Sequence, residues 1–224
     1  MIEINGKQVP TSVEELLDPR CAALVLIDMQ NDFCSEGGSV DMAGGSLEMF
    51  GAAIPRMKAL LGAAREKGVP VVHVRMLTPR GGHTDSPGWM RVRLRAAAFY
   101  GGLKQNDAWE YTTPGSWGAA FIDDLSPLPS EPVVDKFRSS GFFGTTLDSV
   151  LRTLGVRNVV FAGCTTEGCV DSTVRDAGFR DYIAVVPEDG VASDDRELHD
   201  AAMKILRAYR ADVVTTQQIL EAWT

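Results

Sequence analysis

Two apolar periodicities take turns along this chain. Residues 22–27 form an unbroken apolar run of strand length, as in a central strand covered on both faces, and the run stops at Asp28. From about residue 46 to 66 the pattern changes. Ile54, Met57, Leu60, Leu61 and Ala64 recur on one stripe, which predicts a helix closed by Gly68. Strand patterns return at 69–74, 132–135, 158–162, 182–186 and 212–214. Helical patterns fall between them: 145–154, with Thr145 or Thr146 as N-cap; a segment after Cys169, with Val170, Val174, Ala177 and Gly178 on one face; and 193–209. Residues 1–20 read as a partly extended leader with a short helix around 13–17, ended by Asp18-Pro19, and residues 21–224 as one domain. Strands alternating with helices predict an α/β fold with a mainly parallel sheet, right-handed crossovers and helices on both faces. Residues 77–130 are the least regular. They are rich in Gly, Pro and aromatics (Trp89, Phe99, Tyr100, Trp109, Tyr111, Trp117), which suits a pocket-covering segment better than a linker.

Composition narrows the function. A net charge of -8 and a pI near 4.9 argue against a nucleic-acid partner. The densest basic stretch, Arg91, Arg93 and Arg95, reads as a solvated face. No secretory signal and no apolar run of membrane-spanning length is present, so the expectation is a cytoplasmic protein with no membrane partner. The four cysteines, Cys21, Cys34, Cys164 and Cys169, form neither a disulfide framework nor a zinc or CxxC spacing, and reduced thiols are expected.

Functional residues in open α/β sheets gather at the carboxyl ends of the strands. Asp28 ends the first strand, Lys136 follows the third, and Cys169 stands where the fourth turns into a helix. Most free cysteines are buried as small hydrophobes. At a helix N-terminus, however, free amides and the macrodipole favour a thiolate, and a carboxylate and a cation nearby complete a nucleophilic set.

Three blocks carry a resemblance. They are Leu26-Ile27-Asp28-Met29-Gln30-Asn31-Asp32-Phe33, Asp135-Lys136-Phe137-Arg138-Ser139-Ser140-Gly141-Phe142-Phe143 and Gly163-Cys164-Thr165-Thr166-Glu167-Gly168-Cys169-Val170. In this order they resemble the signature blocks of the isochorismatase-like cysteine hydrolases, and the similarity runs from about residue 20 to the C-terminus. The resemblance implies a Rossmann-like three-layer domain with a six-stranded parallel sheet and a catalytic triad of Asp28, Lys136 and Cys169. It also implies a cis peptide between Cys164 and Thr165, an oxyanion site made by the amides of Thr165 and Cys169, and a pocket lined by Phe33. Glu167 departs from the family's usual Asp. The family's nicotinamidases hold a metal through an Asp-x-His-type cluster that neither His73 nor His83 completes, so no metal and no cofactor is expected.

Ser140 to Ser149, Glu188-Asp189-Gly190 and Pro114 to Trp117 look most like the ureido and carbamoyl amidohydrolases, including those acting on ureidoacrylate, biuret or N-carbamoyl amino acids. The expected function is cleavage of a C–N bond in a small ureido or carbamoyl substrate through a thioester, by a homodimer or homotetramer. Phe33 and Trp117 are candidate pocket walls, and Arg138, Ser139, Ser140 and Arg75 candidate polar contacts for a carboxylate or carbonyl. The alternatives are a nicotinamidase-like aryl-amide hydrolase and a non-enzymatic redox or ligand-binding protein with Cys169 as a sensor thiol.

Overall fold

The computed structural model describes residues 1–99 and 111–223, with no side-chain description for 97–99. Tyr100 and Trp109, and the ring of Phe99, therefore lie outside the described residues. The chain begins with an antiparallel hairpin, β1 (Ile2–Ile4) and β2 (Lys7–Val9), and a short helix α1 (Val13–Leu16). Next come β3 (Ala22–Ile27), the short helices α2 (Asn31–Cys34) and α3 (Ser39–Met42), and the long α4 (Glu48–Lys67). They are followed by β4 (Val71–Met76), α5 (Pro87–Phe99), β5 (Val133–Lys136), α6 (Leu147–Thr153) and β6 (Asn158–Cys164). The last elements are α7 (Asp171–Gly178), β7 (Ile183–Pro187), β8 (Val191–Ala192), α8 (Arg196–Tyr209), β9 (Asp212–Val214) and α9 (Thr216–Ala222).

The main sheet runs β5-β4-β3-β6-β7-β9, and every pair in it is parallel. It has seven strands where six were expected. The addition is β8, whose two residues pair with Gly163 and Cys164 at the end of β6 and are too few to leave a periodic signal. The sheet separates two cores. Leu24 and Leu26 of β3 point into the one packed under α4, and Ala23, Val25 and Ile27 into the one packed under α6 and α7. This two-sided burial is why β3 reads as a continuous apolar run. Each buried Leu in such a core contributes roughly 1.5–3 kcal/mol over its exposed state.

Local chemistry sets the boundaries. β4 starts at Val71 rather than at Val69, and Pro70, which has no amide hydrogen, contributes only its carbonyl, accepting from Leu24 N–H at 2.9 Å. α8 starts at Arg196 because Asp195 caps it, accepting from Leu198 N–H at 2.9 Å. The segment before β3 is stitched into the body: Leu16 O accepts from Asn158 Nδ2 at 2.8 Å and Leu17 O from Trp223 Nε1 at 2.9 Å. No helix among the described residues is long and apolar enough to cross a membrane.

At the site end of the sheet β6 comes unusually close to β3. Gly163 has φ +129°, and a Cβ there would collide with the Ile27 carbonyl. Gly163→Ala is therefore expected to destabilise the fold by about 3 kcal/mol. Gly62→Ala, on the exposed face of α4 with open space around it, should stabilise by about 0.5–1 kcal/mol. Urea denaturation of both variants checks this, and equal midpoints would refute the close approach.

Candidate active site

Because the strands are parallel, their carboxyl ends lie along one edge, and three of them deliver the predicted residues there. Asp28 leaves β3 with φ +55°, a left-handed conformation that Asp tolerates better than most residues. Its N–H still donates to Val74 O at 2.8 Å, while its own carbonyl accepts from Gln30 N–H at 2.8 Å and from the Cys164 thiol at 3.2 Å. This backbone turn directs the carboxylate inward, where the residue is 1% exposed. Lys136 ends β5 and is 0% exposed. Its Nζ lies 2.7 Å from Asp28 Oδ2, 3.1 Å from Cys169 Sγ and 3.2 Å from Arg138 O. An ammonium has three donors, and all three have partners here.

Cys169 sits in a turn of π-helical form, Thr166–Val170, in which Val170 N–H donates five residues back to Thr165 O at 3.1 Å. The Cys164–Thr165 peptide ahead of it is cis. Two hydroxyls hold the turn. Thr173 Oγ1 donates to Cys169 O at 2.6 Å and accepts from Gly141 N–H at 2.8 Å, linking the turn to the loop after Lys136. Thr166 Oγ1 pairs with His199 Nδ1 of α8 at 2.8 Å.

Burial decides the protonation states. It pushes the Cys169 thiol up to about 12; the Lys136 ammonium pulls it down, and the Asp28 carboxylate pushes it up again. Burial and the neighbouring carboxylate thus oppose the thiolate that a helix N-terminus favours. Burial also raises the Asp28 carboxyl above the ordinary range, against the pull of Lys136. Burial alone would lower Lys136, but Asp28 and the Cys169 sulfur together hold it above its usual value. The three groups are thus coupled: burial opposes the charged form of each, and the ammonium favours both anions.

The residues after Asp28 hold a cover over this edge, a role that was not read from the sequence. Gln30, fully buried, donates to Met76 O at 3.0 Å and Ala119 O at 2.9 Å and accepts from Met76 N–H at 2.8 Å. Asn31 Nδ2 donates to Trp117 O at 2.9 Å. Asp32 accepts from Thr112 N–H at 2.5 Å and from the Ser39 hydroxyl at 2.8 Å, and a Cβ on Gly118 would strike its carboxylate. The available signal was three successive amide and acid side chains after a buried strand.

The other predicted residues take different places. Phe33 is half-buried and meets the Tyr111 ring edge-on, with centroids 5.9 Å apart. Arg138 lies with Cζ 5.0 Å over the Trp89 ring and lines a cavity of about 370 Å³ with His83, Asp85, Ser86 and Phe143. Ser140 is tied to Asp176 of α7 and accepts from Phe142 N–H at 3.1 Å, with the half-buried Ser139 beside it. Trp117 is 56% exposed. Arg75 pairs across strands with Asp135 at 2.6 Å, one residue out of phase with Lys136 and so on the opposite face of the sheet. His73 is engaged with Glu131 at 3.0 Å. Among the described residues no group of three or more His, Cys, Asp or Glu side chains converges to hold a metal ion.

A half-buried thiol and a buried carboxylate and ammonium thus meet at the carboxyl edge of a doubly covered parallel sheet. Residues 22–218 match the isochorismatase domain family. The chain is 37% identical over 182 residues to ureidoacrylate amidohydrolase RutB of Agrobacterium fabrum, across 77% of this chain and 76% of that protein. It shares its fold with a cysteine hydrolase from Pseudomonas syringae pv. phaseolicola at a TM-score of 0.77 and 23% identity, over 92% and 93% of the two chains. N-carbamoylsarcosine amidase from Thermoplasma acidophilum matches at a TM-score of 0.64 and 28% identity, over 88% and 96%. The chain belongs to the isochorismatase family.

The electrostatics predict opposite responses to removing either charge. Asp28→Asn should bring the Cys169 midpoint below about 12, because the neighbouring negative charge is lost while Lys136 remains; Lys136→Met should move it up. The pH dependence of Cys169 alkylation by iodoacetamide reads the midpoint. A midpoint unmoved by Asp28→Asn would refute this arrangement.

Proposed function

We propose that this hydrolase, which acts on C–N bonds other than peptide bonds, cleaves the carbamoyl C–N bond of a small ureido substrate and releases ammonia through a thioester on Cys169. The observation that carries the reading is the Lys136 ammonium lying 2.7 Å from Asp28 Oδ2 and 3.1 Å from Cys169 Sγ at once. Base and nucleophile are thereby held in one cluster, and the cation favours the thiolate as it forms.

In the proposed reaction Asp28 takes the proton of the Cys169 thiol as Sγ bonds to the substrate carbonyl carbon. The carbonyl π pair moves onto oxygen, and the amides of Thr165 and Cys169 receive that charge. Asp28 then returns the proton to the departing nitrogen, the C–N bond breaks and ammonia leaves. A water gives a proton to Asp28 as it adds to the thioester, which is a thiocarbamate for a ureido substrate. The C–S bond breaks, the sulfur recovers the proton, and the carbamic acid product loses carbon dioxide. A raised thiol suits this sequence, since a protonated resting thiol gives Asp28 a proton to carry. Removal of one oxyanion donor typically costs about 10²–10³ in rate.

A panel of ureido, N-carbamoyl and aryl amides assayed for ammonia release tests the reading. Release from a ureido or carbamoyl member is expected, falling by about 10⁴-fold or more in Cys169→Ala and by about 10²–10⁴-fold in Asp28→Asn. Equal ammonia release by wild type and Cys169→Ala from every member would sink the proposal, and preferential turnover of nicotinamide would redirect it to aryl amides.

A further inference from the structure

The segment that leaves β8 runs beside the turn that leaves β6. β8 pairs Val191 with Gly163 and Ala192 with Cys164, in parallel, and both chains then continue past the carboxyl edge of the sheet. Ser193 follows β8 directly and is buried; its Oγ accepts from the N–H of Asp195, the residue that caps α8, at 3.2 Å. His199 comes one helical turn later, its N–H donating to Asp195 O at 3.0 Å. Arg196, Glu197 and Asp200 on the same helix are exposed, whereas His199 is turned inward and buried.

A buried imidazole needs a partner for its polar atoms. Nδ1 has one in the hydroxyl of Thr166, 2.8 Å away, and Thr166 is itself fully buried. Burial pulls the His199 imidazole down, Asp200 pushes it up and Arg196 adds to the fall. The neutral ring is thereby favoured, and its bare Nδ1 can accept the hydroxyl proton that Thr166 would otherwise leave unmet.

Thr166 opens the turn that carries Cys169. The backbone bonds of that turn, from Val170 N–H to Thr165 O and from Asp171 N–H to Thr166 O, reach back five residues. This π register is rare, and the α register available to the same residues competes with it. Side-chain anchors on either side of Cys169 oppose a slip between the two. Thr173 ties the Cys169 carbonyl to the loop after Lys136, and His199 ties Thr166 to α8. A small displacement of a nucleophile and of the amides beside it costs turnover more than substrate binding, because the oxyanion they meet exists only after attack.

We infer that His199 is a positioning residue for the hydrolysis: through Thr166 it holds the Cys169 turn in its π register and so supports kcat without contacting substrate. This rests on the reading of Cys169 as the nucleophile. His199→Phe and Thr166→Val each delete the bond at little change in size, and His199→Asn keeps an acceptor, since its Oδ1 stands one bond from Cγ as Nδ1 does. With the best substrate of the ammonia panel, His199→Phe and Thr166→Val should lose about 10–100-fold in kcat with KM within about threefold of wild type. His199→Asn should recover to within about threefold of wild type. The double variant His199→Phe with Thr166→Val should be no more than about threefold slower than the slower single variant, because both remove one bond. A loss carried in KM, an equal loss in His199→Asn and His199→Phe, or losses that multiply in the double variant overturn the inference.

Amide hydrogen exchange reads the turn without turnover. Residues 166–171 should exchange about tenfold faster in His199→Phe and Thr166→Val, residues 22–27 of β3 should be unchanged, and His199→Asn should match wild type. Unchanged exchange of 166–171 in the near-isosteric Thr166→Val overturns the inference even if no member of the panel is hydrolysed, an outcome that by itself would fail only the hydrolase reading.

Discussion

Lys136 carries a positive charge into a place without solvent, and three chain segments are arranged to meet it. Taking an ammonium out of water costs several kcal/mol unless every donor is engaged. Here the donors reach the carboxylate at the end of β3, the sulfur in the turn after β6 and a carbonyl two residues further along its own strand exit. That requirement fixes the spacing of β3, β5 and β6 at their carboxyl ends more tightly than packing alone, because apolar contacts tolerate small slips and a buried ion pair does not. The bare glycine at 163 belongs to the same constraint, since it lets β6 approach β3 closely just before the turn that carries Cys169.

The cover over the site is held by polar groups, of which Gln30 and Asp32 are buried and Asn31 half-buried. Gln30, Asn31 and Asp32 reach across to Ala119, Trp117 and Thr112, so residues 112–119 are tied to the residues that follow Asp28. Such hydrogen bonds contribute only about 0.5–1.5 kcal/mol each when made, but leaving one partner buried and unmet costs more. The cover is therefore specified by satisfaction of donors and acceptors rather than by an apolar face, and residues 112–119 have a defined place without a periodic pattern.

The parts legible in the sequence were those governed by local pattern. β3 and β6 announce themselves because burial on both faces leaves no polar position in β3 and only Asn158 at the start of β6, and Asp28 and Lys136 stand out where the runs of β3 and β5 end. β8 is invisible because two residues have no period. The electrostatics of Cys169 were not legible because they depend on Asp28, 141 residues earlier in the chain, and on a π-form turn that hydrophobic spacing does not distinguish from an α-helix start. Arg93 looked like one of three equivalent arginines; what separates it is a ring at 111 that no helical period connects to it. Arg75 was drawn to the site by its place at a strand end, while its phase relative to Lys136 turns it to the other face.

The seam formed by Asn158, Leu16, Leu17 and Trp223 closes the edge of the sheet where β6 begins, and the reactive cluster occupies the edge where it ends. Cohesion and chemistry are thus drawn from opposite ends of the same strands. Sequence drift at the seam changes how many molecules are folded at a given temperature and leaves each folded molecule catalytically the same. Drift at the other edge changes what each molecule does. One strand, β6, connects the two, so the enzyme's abundance and its selectivity can evolve along separate stretches of a single element.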